Sequence, residues 1–298
     1  MITVFGSTNL DQIGTVPRLP GAGETVAGGT FSMAAGGKGA NQALAARRAG
    51  AKVRHVSAVG QDSFAAPALE LLEGAGVDLA EVRRTQEATG IAMIFVDAAG
   101  ENCIAVLPGA NGTMTPAHAE AAVTSMASGD VLLVQQEIPQ AASRRALELA
   151  RERGITSVFN TAPFLADTAS VAPLASIVVA NETEFALLSG RPESELDAAM
   201  ADWAKAHNQT LIVTLGGDGV KAIRDGQALH VKALPIKPVD TVGAGDTFCG
   251  YLAAGLDAGL DLETALRRAA AAGSLACLKP GAQPAIPLAS EVDAALKG

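Results

Sequence analysis

With 298 residues, 49% of them hydrophobic and 18% charged, the chain has the size and composition of a soluble globular protein with one large core or two intimate ones. A formal net charge of -9, with 22 Lys and Arg scattered rather than clustered, argues against nucleic acid and anionic membrane as partners. No stretch reaches the roughly 18 apolar residues of a membrane span, and the start "MITVFGSTNLD" lacks the basic-then-apolar pattern of a leader, so a cytoplasmic protein is expected.

In chain order, short runs rich in Val and Ile alternate with Ala-rich helical stretches. "ITVFGS" leads to "GKGANQALAARRAG", "VRHVSAVG" to "FAAPALELLEGAG", "DVLLVQQE" to "QAASRRALELARERG", "ITSVFN" to a helix, and "SIVVANE" to "TEFALLSG". This repeated order predicts an α/β fold, a mostly parallel sheet covered by helices, with ligands beyond the carboxyl ends of its strands. Residues 12–35 and 89–107 break the rhythm; they read as short strands and a hairpin turning at "DAAGEN", a small sheet inserted twice into one domain spanning 1–298. Such a sheet, with an apolar face, covers a pocket, a second subunit, or both. Late in the chain "QTLIVTLGGDGVKAIRDGQALHVKAL" predicts further strands with tight turns, and the helices "TVGAGDTFCGYLAAGL" and "DLETALRRAAAAGSLACL" follow.

Cys103, Cys249 and Cys277 are odd in number and widely spaced, which points to small hydrophobes rather than disulfides or zinc. His55, His118, His207 and His230 have no metal-ligand spacing, and histidine chemistry is not expected.

Chemistry is concentrated in "VGAGD". Asp246 there reads either as an acid stabilising the start of a helix or as a base beside bare amides. With no side chains at Gly243 and Gly245, backbone N–H groups approach a ligand closely and bind developing negative charge; an adjacent carboxylate orients a hydroxyl and accepts its proton late. The common nucleotide motifs are absent. "GGKGAN" lacks the Ser or Thr and the upstream Gly of a phosphate-binding P-loop, "GDGVKA" runs into a turn rather than a helix, and there is no His-Arg-Asp loop.

"AAGGKGANQALAARRAG" together with "VDTVGAGDTFCGYLAAGL" resembles the two motifs of the ribokinase, or phosphofructokinase-B, family of carbohydrate kinases. The resemblance continues in order through "GSTNLD", "GENCIAVLPGAN", "QQEIP", "NETE", "VTLGGDG" and "KPGAQP". It implies a three-layer α/β/α fold with a β lid, and ATP-dependent phosphorylation of the primary hydroxyl of a pentose, ribose first. It implies Asp246 as base, with Gly243, Ala244 and Gly245 in the anion hole. Asn9, Asp11, Gly37, Lys38, Asn41 and Glu137 would hold the sugar; by themselves Asn9 and Asp11 read as an Asx turn after the first strand, and Glu137 as the end of "DVLLVQQE". Asn181, Glu184, Thr214, Gly216 and Gly219 would border the nucleotide, although "NETE" also reads as a capping box. Mg²⁺ is expected on the phosphates. K⁺ is expected on the Asp240 carboxylate and the carbonyls of Val242, Ala276, Lys279 and Gly281, weakened by Ala285 where relatives often carry Ser. A homodimer through the lids is a further implication. Two competing readings are the same chemistry on deoxyribose, another sugar or a nucleoside, and a non-catalytic sugar sensor on the same fold. Retention of Asp246 with both glycines counts against the sensor.

Overall fold

The computed structural model describes residues 1–297. In chain order its strands are β1 (Ile2–Phe5), β2 (Asn9–Thr15), β3 (Phe31–Gly36), β4 (Val53–Gly60), β5 (Val82–Thr85), β6 (Ile91–Val96), β7 (Asn102–Leu107), β8 (Val131–Val134), β9 (Thr156–Asn160), β10 (Ile177–Asn181), β11 (Thr210–Thr214), β12 (Val220–Arg224) and β13 (Gln227–Val231). Its helices are α1 (Lys38–Arg48), α2 (Ala65–Ala75), α3 (Pro116–Thr124), α4 (Gln140–Glu152), α5 (Thr168–Val171), α6 (Glu182–Ser189), α7 (Leu196–His207), α8 (Ala244–Asp257), α9 (Leu262–Ala276) and α10 (Ala289–Ala295).

Nine strands form the large sheet in the order β13-β12-β11-β10-β9-β8-β1-β4-β5. From β11 to β5 every pairing is parallel; β12 alone is reversed, pairing antiparallel with both β11 and β13. The apolar runs are continuous because both faces are covered, as parallel sheets require. Alternate residues feed two cores. Val4, Leu133, Val158, Val179 and Ile212 pack with α1, α8 and α9, while Phe5, Leu132, Phe159, Val178 and Leu211 pack on the other face with α3, α4 and α7. The result is the expected three-layer arrangement. A second sheet of four strands, β3-β2-β6-β7, stands apart from it.

Several local expectations shift. β2 starts at Asn9, so Asn9 and Asp11 lie within the small sheet rather than in a turn, and residues 16–30 form no strand. Pro17, Pro20 and a run of glycines there deny the ladder its donors and its stiffness. β8 stops at Val134, three residues before Glu137. The helix expected after "ITSVFN" shrinks to the four-residue α5, hemmed in by Pro163 and Pro173. β5, α3, α7 and α10 complete the layers without having been legible as apolar runs. Cys249 and Cys277 are buried as expected, but Cys103 is exposed on β7. His55 is wholly buried, with Thr8 Oγ1 2.9 Å from its Nε2 and no partner for Nδ1. Burial holds its imidazole down to about 4, and so in the neutral form.

Candidate active site

Two helices, α1 and α8, start side by side at the carboxyl edge of the large sheet, each behind a left-handed glycine. Gly37 has φ 87° and Gly243 has φ 75°, conformations that L side chains rarely adopt. A Cβ on Gly37 would lie 2.8 Å from Asn9 N, and one on Gly243 would lie 2.8 Å from Ala282 Cβ. The two amide ends differ in occupancy. At α1 the Lys38 N–H donates to Glu137 Oε2 at 2.9 Å and the Gly39 N–H to Ser7 Oγ at 3.2 Å, while the Ser7 hydroxyl donates to Glu137 Oε2 at 2.6 Å. At α8 no side chain caps the helix. Ala244 N–H turns back to Thr241 O at 3.3 Å, but the amides of Gly243, Gly245 and Asp246 meet no protein acceptor among the described residues. Free amides at a positive helix end form an anion site.

Asp246 is the third residue of α8 and only 7% exposed. Asn41 Nδ2 donates to its Oδ2 and Gln42 Nε2 to its Oδ1, both at 2.9 Å. Around it lie Lys38, Asp11 and Glu137. The Asp246 charge, then those of Glu137 and Glu184, raise the Lys38 ammonium above its ordinary range against the pull of burial. Burial first, then the Glu137 and Asp246 charges, push the Asp11 carboxyl up to about 7, with Lys38 opposing. Asp11 Oδ1 and Asn41 Oδ1 are buried without hydrogen-bond partners. Asn9 is buried too, its Oδ1 accepting from Asn111 Nδ2 at 2.7 Å. The cluster thus holds unpaired acceptors among charged side chains, a chemistry suited to hydroxyl donors.

On the other side of α8 a cavity of about 320 Å³ opens beyond β11. Thr214, Gly216, Gly219, Ala244 and Gly245 line it beside Leu234, Ile236 and Phe248, so bare backbone borders an apolar slot. Its far wall includes Ala270, Gly273 and Ser274 of α9. Asn181 and Glu184 open α6 nearby in the chain after β10, and here the capping box is complete. Asn181 Oδ1 accepts from Glu184 N at 2.7 Å and Glu184 Oε2 from Asn181 N at 3.2 Å, with Thr161 Oγ1 donating to the same Oε2 at 2.8 Å. Neither Asn181 nor Glu184 lines the slot itself.

Asp240 and Val242 lie on the loop before α8, and Ala276, Lys279 and Gly281 at the end of α9 and beyond it. The two segments are joined by Val239 N–H to Cys277 O at 2.8 Å and by Gly281 N–H to Asp240 Oδ2 at 2.8 Å. Val242 N–H holds Asp240 Oδ1 at 3.0 Å. Lys279 turns its ammonium away to Glu291, 3.4 Å off. A carboxylate and main-chain carbonyls are the oxygen donors that a hard cation takes, while here both Asp240 oxygens accept backbone N–H bonds. No group of three His, Cys, Asp or Glu side chains that could hold a metal occurs among the described residues.

Sequence reasoning passed over Ser7, Gln42, Asn111, Gln135 and Asn160. Asn111 accepts from Thr8 N at 2.9 Å and donates to Thr8 O at 3.1 Å as well as to Asn9, so it shapes the β1–β2 loop. A polar residue ending "LPGAN" right after a strand was its one local signal.

The model of the pfkB family carbohydrate kinases matches residues 1–289. A ribokinase of Staphylococcus aureus is 38% identical over 299 residues, covering 98% of each chain. A deoxyribokinase of Salmonella typhi is 32% identical over 291 residues, covering 96% of this chain and 95% of its own. The structure of Arabidopsis thaliana ribokinase complexed with ribose and ATP superposes with a TM-score of 0.88 at 30% identity, covering 100% of this chain and 98% of that one. The chain belongs to the pfkB family of carbohydrate kinases.

Proposed function

We propose that the protein transfers the γ-phosphoryl group of ATP to the primary hydroxyl of a pentose, D-ribose first, giving the 5-phosphate. The observation that carries this reading is the position of Asp246. Its carboxylate stands at an uncapped helix end, between a cluster of unpaired buried acceptors and an apolar slot edged with glycine. The sugar sits among Asn9, Asp11, Gly37, Lys38, Asn41 and Glu137; the adenosine lies in the slot by Thr214, Gly216 and Gly219, and the transferred group faces the amides of Gly243, Ala244, Gly245 and Asp246. Asp246 orients the attacking oxygen and takes its proton as the new O–P bond forms, while the amides take up charge on the equatorial oxygens. The Ala244 amide must leave Thr241 O to join them.

Asn181 and Glu184 would act toward the phosphates and Mg²⁺ through water. Bound Mg²⁺ neutralises phosphate charge, and no carboxylate cage is needed for an ion held chiefly by phosphate oxygens. A monovalent cation would bind Asp240 and the carbonyls of Val242, Ala276, Lys279 and Gly281, steadying the loop that carries the anion hole. The small sheet closes over the sugar as a lid, which keeps water from the phosphoryl group. Its other face, with Phe31, Met33, Met93 and Phe95 exposed, supports a homodimer through the lids. We expect a cytoplasmic enzyme acting on small molecules, in keeping with the net charge of -9; among the described residues no helix is long and apolar enough to cross a membrane.

The Salmonella relative supports a second substrate, 2-deoxyribose, for the same machinery. A coupled ADP-release assay over ribose, 2-deoxyribose, other pentoses and hexoses, and nucleosides tests both, with the product's phosphorus position read by NMR. Ribose is expected to give the highest kcat/KM. No sugar-dependent ADP release with any member would sink the kinase reading.

A further inference from the structure

Three helices of this chain carry an acid at their third position: Glu184 in α6, Glu291 in α10 and Asp246 in α8. In the first two the acid folds back on its own helix start. Glu184 Oε2 accepts from Asn181 N, and Glu291 Oε2 accepts from Leu288 N at 2.6 Å. This is the ordinary resting place of such an acid, because the free amides and the helix dipole attract it. Asp246 is held elsewhere, although the amides beside it are free. Asn41 takes one oxygen and Gln42 the other.

Gln42 is fixed in a way that Asn41 is not. It is fully buried. Its Nε2 lies 2.9 Å from Asp246 Oδ1 and 3.1 Å from Asn160 Oδ1, while its Oε1 accepts from Gln135 Nε2 at 2.7 Å. Asn160 is oriented in turn by Nδ2–H donation to Val179 O at 3.3 Å. Turning the Gln42 amide over would set its oxygen against two acceptors, so only one orientation satisfies the network. The ends of β8 and β9 therefore dictate where Gln42 points, and Gln42 dictates where one oxygen of Asp246 points.

We propose that Gln42 is a positioning residue for the phosphoryl-transfer step: anchored by Gln135 and Asn160, it draws the Asp246 carboxylate off the α8 amides, keeping them open for the phosphoryl group and the carboxylate aimed at the sugar. The inference rests on the kinase reading above. Gln42 acts through Asp246 and touches neither substrate. Its loss therefore lowers kcat and leaves sugar affinity in place.

The test compares Gln42→Met and Gln42→Glu with the parent protein. Sugar affinity is measured by calorimetry with ribose, and kcat at saturating sugar is followed across pH. Gln42→Met keeps the volume and removes the donor; kcat is expected to fall about 100-fold, the penalty of a misplaced reacting group, with ribose affinity changed less than about threefold. Gln42→Glu keeps the shape but sets a second carboxyl on Asp246 Oδ1. The pair then shares one proton, whose loss brings two charges together, so the kcat profile acquires an extra ionisation within roughly pH 5–8. Asp11, Glu137, Lys38, Glu184 and Cys249 are the charged and titratable groups coupled to Asp246 or Lys38 and are unchanged in both variants, so the difference between profiles belongs to position 42. A kcat for Gln42→Met within about threefold of the parent, or a Gln42→Glu profile that differs from the parent only by a constant factor, overturns the proposal. Should Gln42→Met lose its cooperative melt, Gln135→Met, which frees Gln42 Oε1, decides by the same kcat and affinity readouts. A parent protein without sugar-dependent turnover would bring down the kinase reading and this one together; normal turnover that survives Gln42→Met brings down this one alone.

Discussion

The two carboxylates of the candidate site, buried Asp246 and half-buried Asp11, lie in different surroundings. Asp246 accepts two amide hydrogens, whereas Asp11 Oδ1 has no partner and its carboxyl is pushed up to about 7. Asp246→Asn keeps the shape and removes the proposed proton acceptor, so turnover should fall by about 10³-fold or more while ribose affinity changes little, since in the proposed reaction the proton moves only in the transition state. Steady-state kinetics beside calorimetry checks this, and equal losses in both would remove Asp246 from the role of base. Asp11 gives a pH signature of its own. Its folded value lies above the ordinary 3.8, so the native state holds more protons than the unfolded chain between about pH 4 and 7, and stability falls as pH rises through that window. Asp11→Asn should therefore melt higher than the parent at pH 8, with a ceiling of about 4 kcal/mol, and nearly level with it at pH 4. Ribose affinity of the parent should drop about tenfold from pH 7.5 to 6 as the acceptor is protonated. A melting difference that is the same at both pH values would show that burial of the Asp11 charge is not its cause.

At the scale of elements, the site depends on how closely α1 and α8 approach. Gly250 lies one turn after Asp246, and a Cβ there would come within 2.6 Å of Gln42 O and 2.7 Å of Ala46 N. These are backbone atoms that cannot swing aside. Gly250→Ala should push α8 off α1, lower stability by about 1–3 kcal/mol, and lengthen the bonds from Asn41 and Gln42 to Asp246, with kcat falling about tenfold or more. Thermal melts and turnover at saturating ribose check it, and a destabilised variant with parental kcat would uncouple helix spacing from the chemistry. This pair of helices also marks how far the sequence could be read. The apolar runs announced the strands, and the glycines around Asp246 announced a bare helix start, because both signals are local. Gly250 read only as part of an apolar helix, since its reason is Ala46, some 200 residues away in sequence. Gln42 stands directly after Asn41 in "GKGANQ", yet its partners come from β8, β9 and α8, and no spacing rule connects them. Glu137 was legible as the polar end of the run "DVLLVQQE", but its service as the cap of α1 required knowing which helix starts opposite it.

Across the whole molecule, the small sheet is the part whose sequence and surroundings disagree most. In register, Met33, Gln12, Met93 and Ala105 form one row across it, and Phe31, Gly14, Phe95 and Cys103 form the next. Alternation puts both rows on one face, with Phe31 67% and Met33 51% exposed. An apolar face of this kind on a chain of net charge -9 calls for a cover, and β3 and β7 at its edges carry unpaired backbone groups as well. In the proposed homodimer a second copy would cover both through a two-fold contact, in which the same rows face each other. The double variant Phe31→Glu/Phe95→Glu would set like charges across that contact. By light scattering the parent should run at about twice the 30.0 kDa chain mass and the variant near the chain mass itself. Because β2 of the same sheet carries Asn9 and Asp11, which the proposed site sets against the sugar, loss of the proposed partner should also raise KM for ribose, with kcat less affected. A parent protein that stays monomeric at working concentration would leave the face without this partner. A monomeric variant with parental KM would show instead that the lid closes without help from the second subunit.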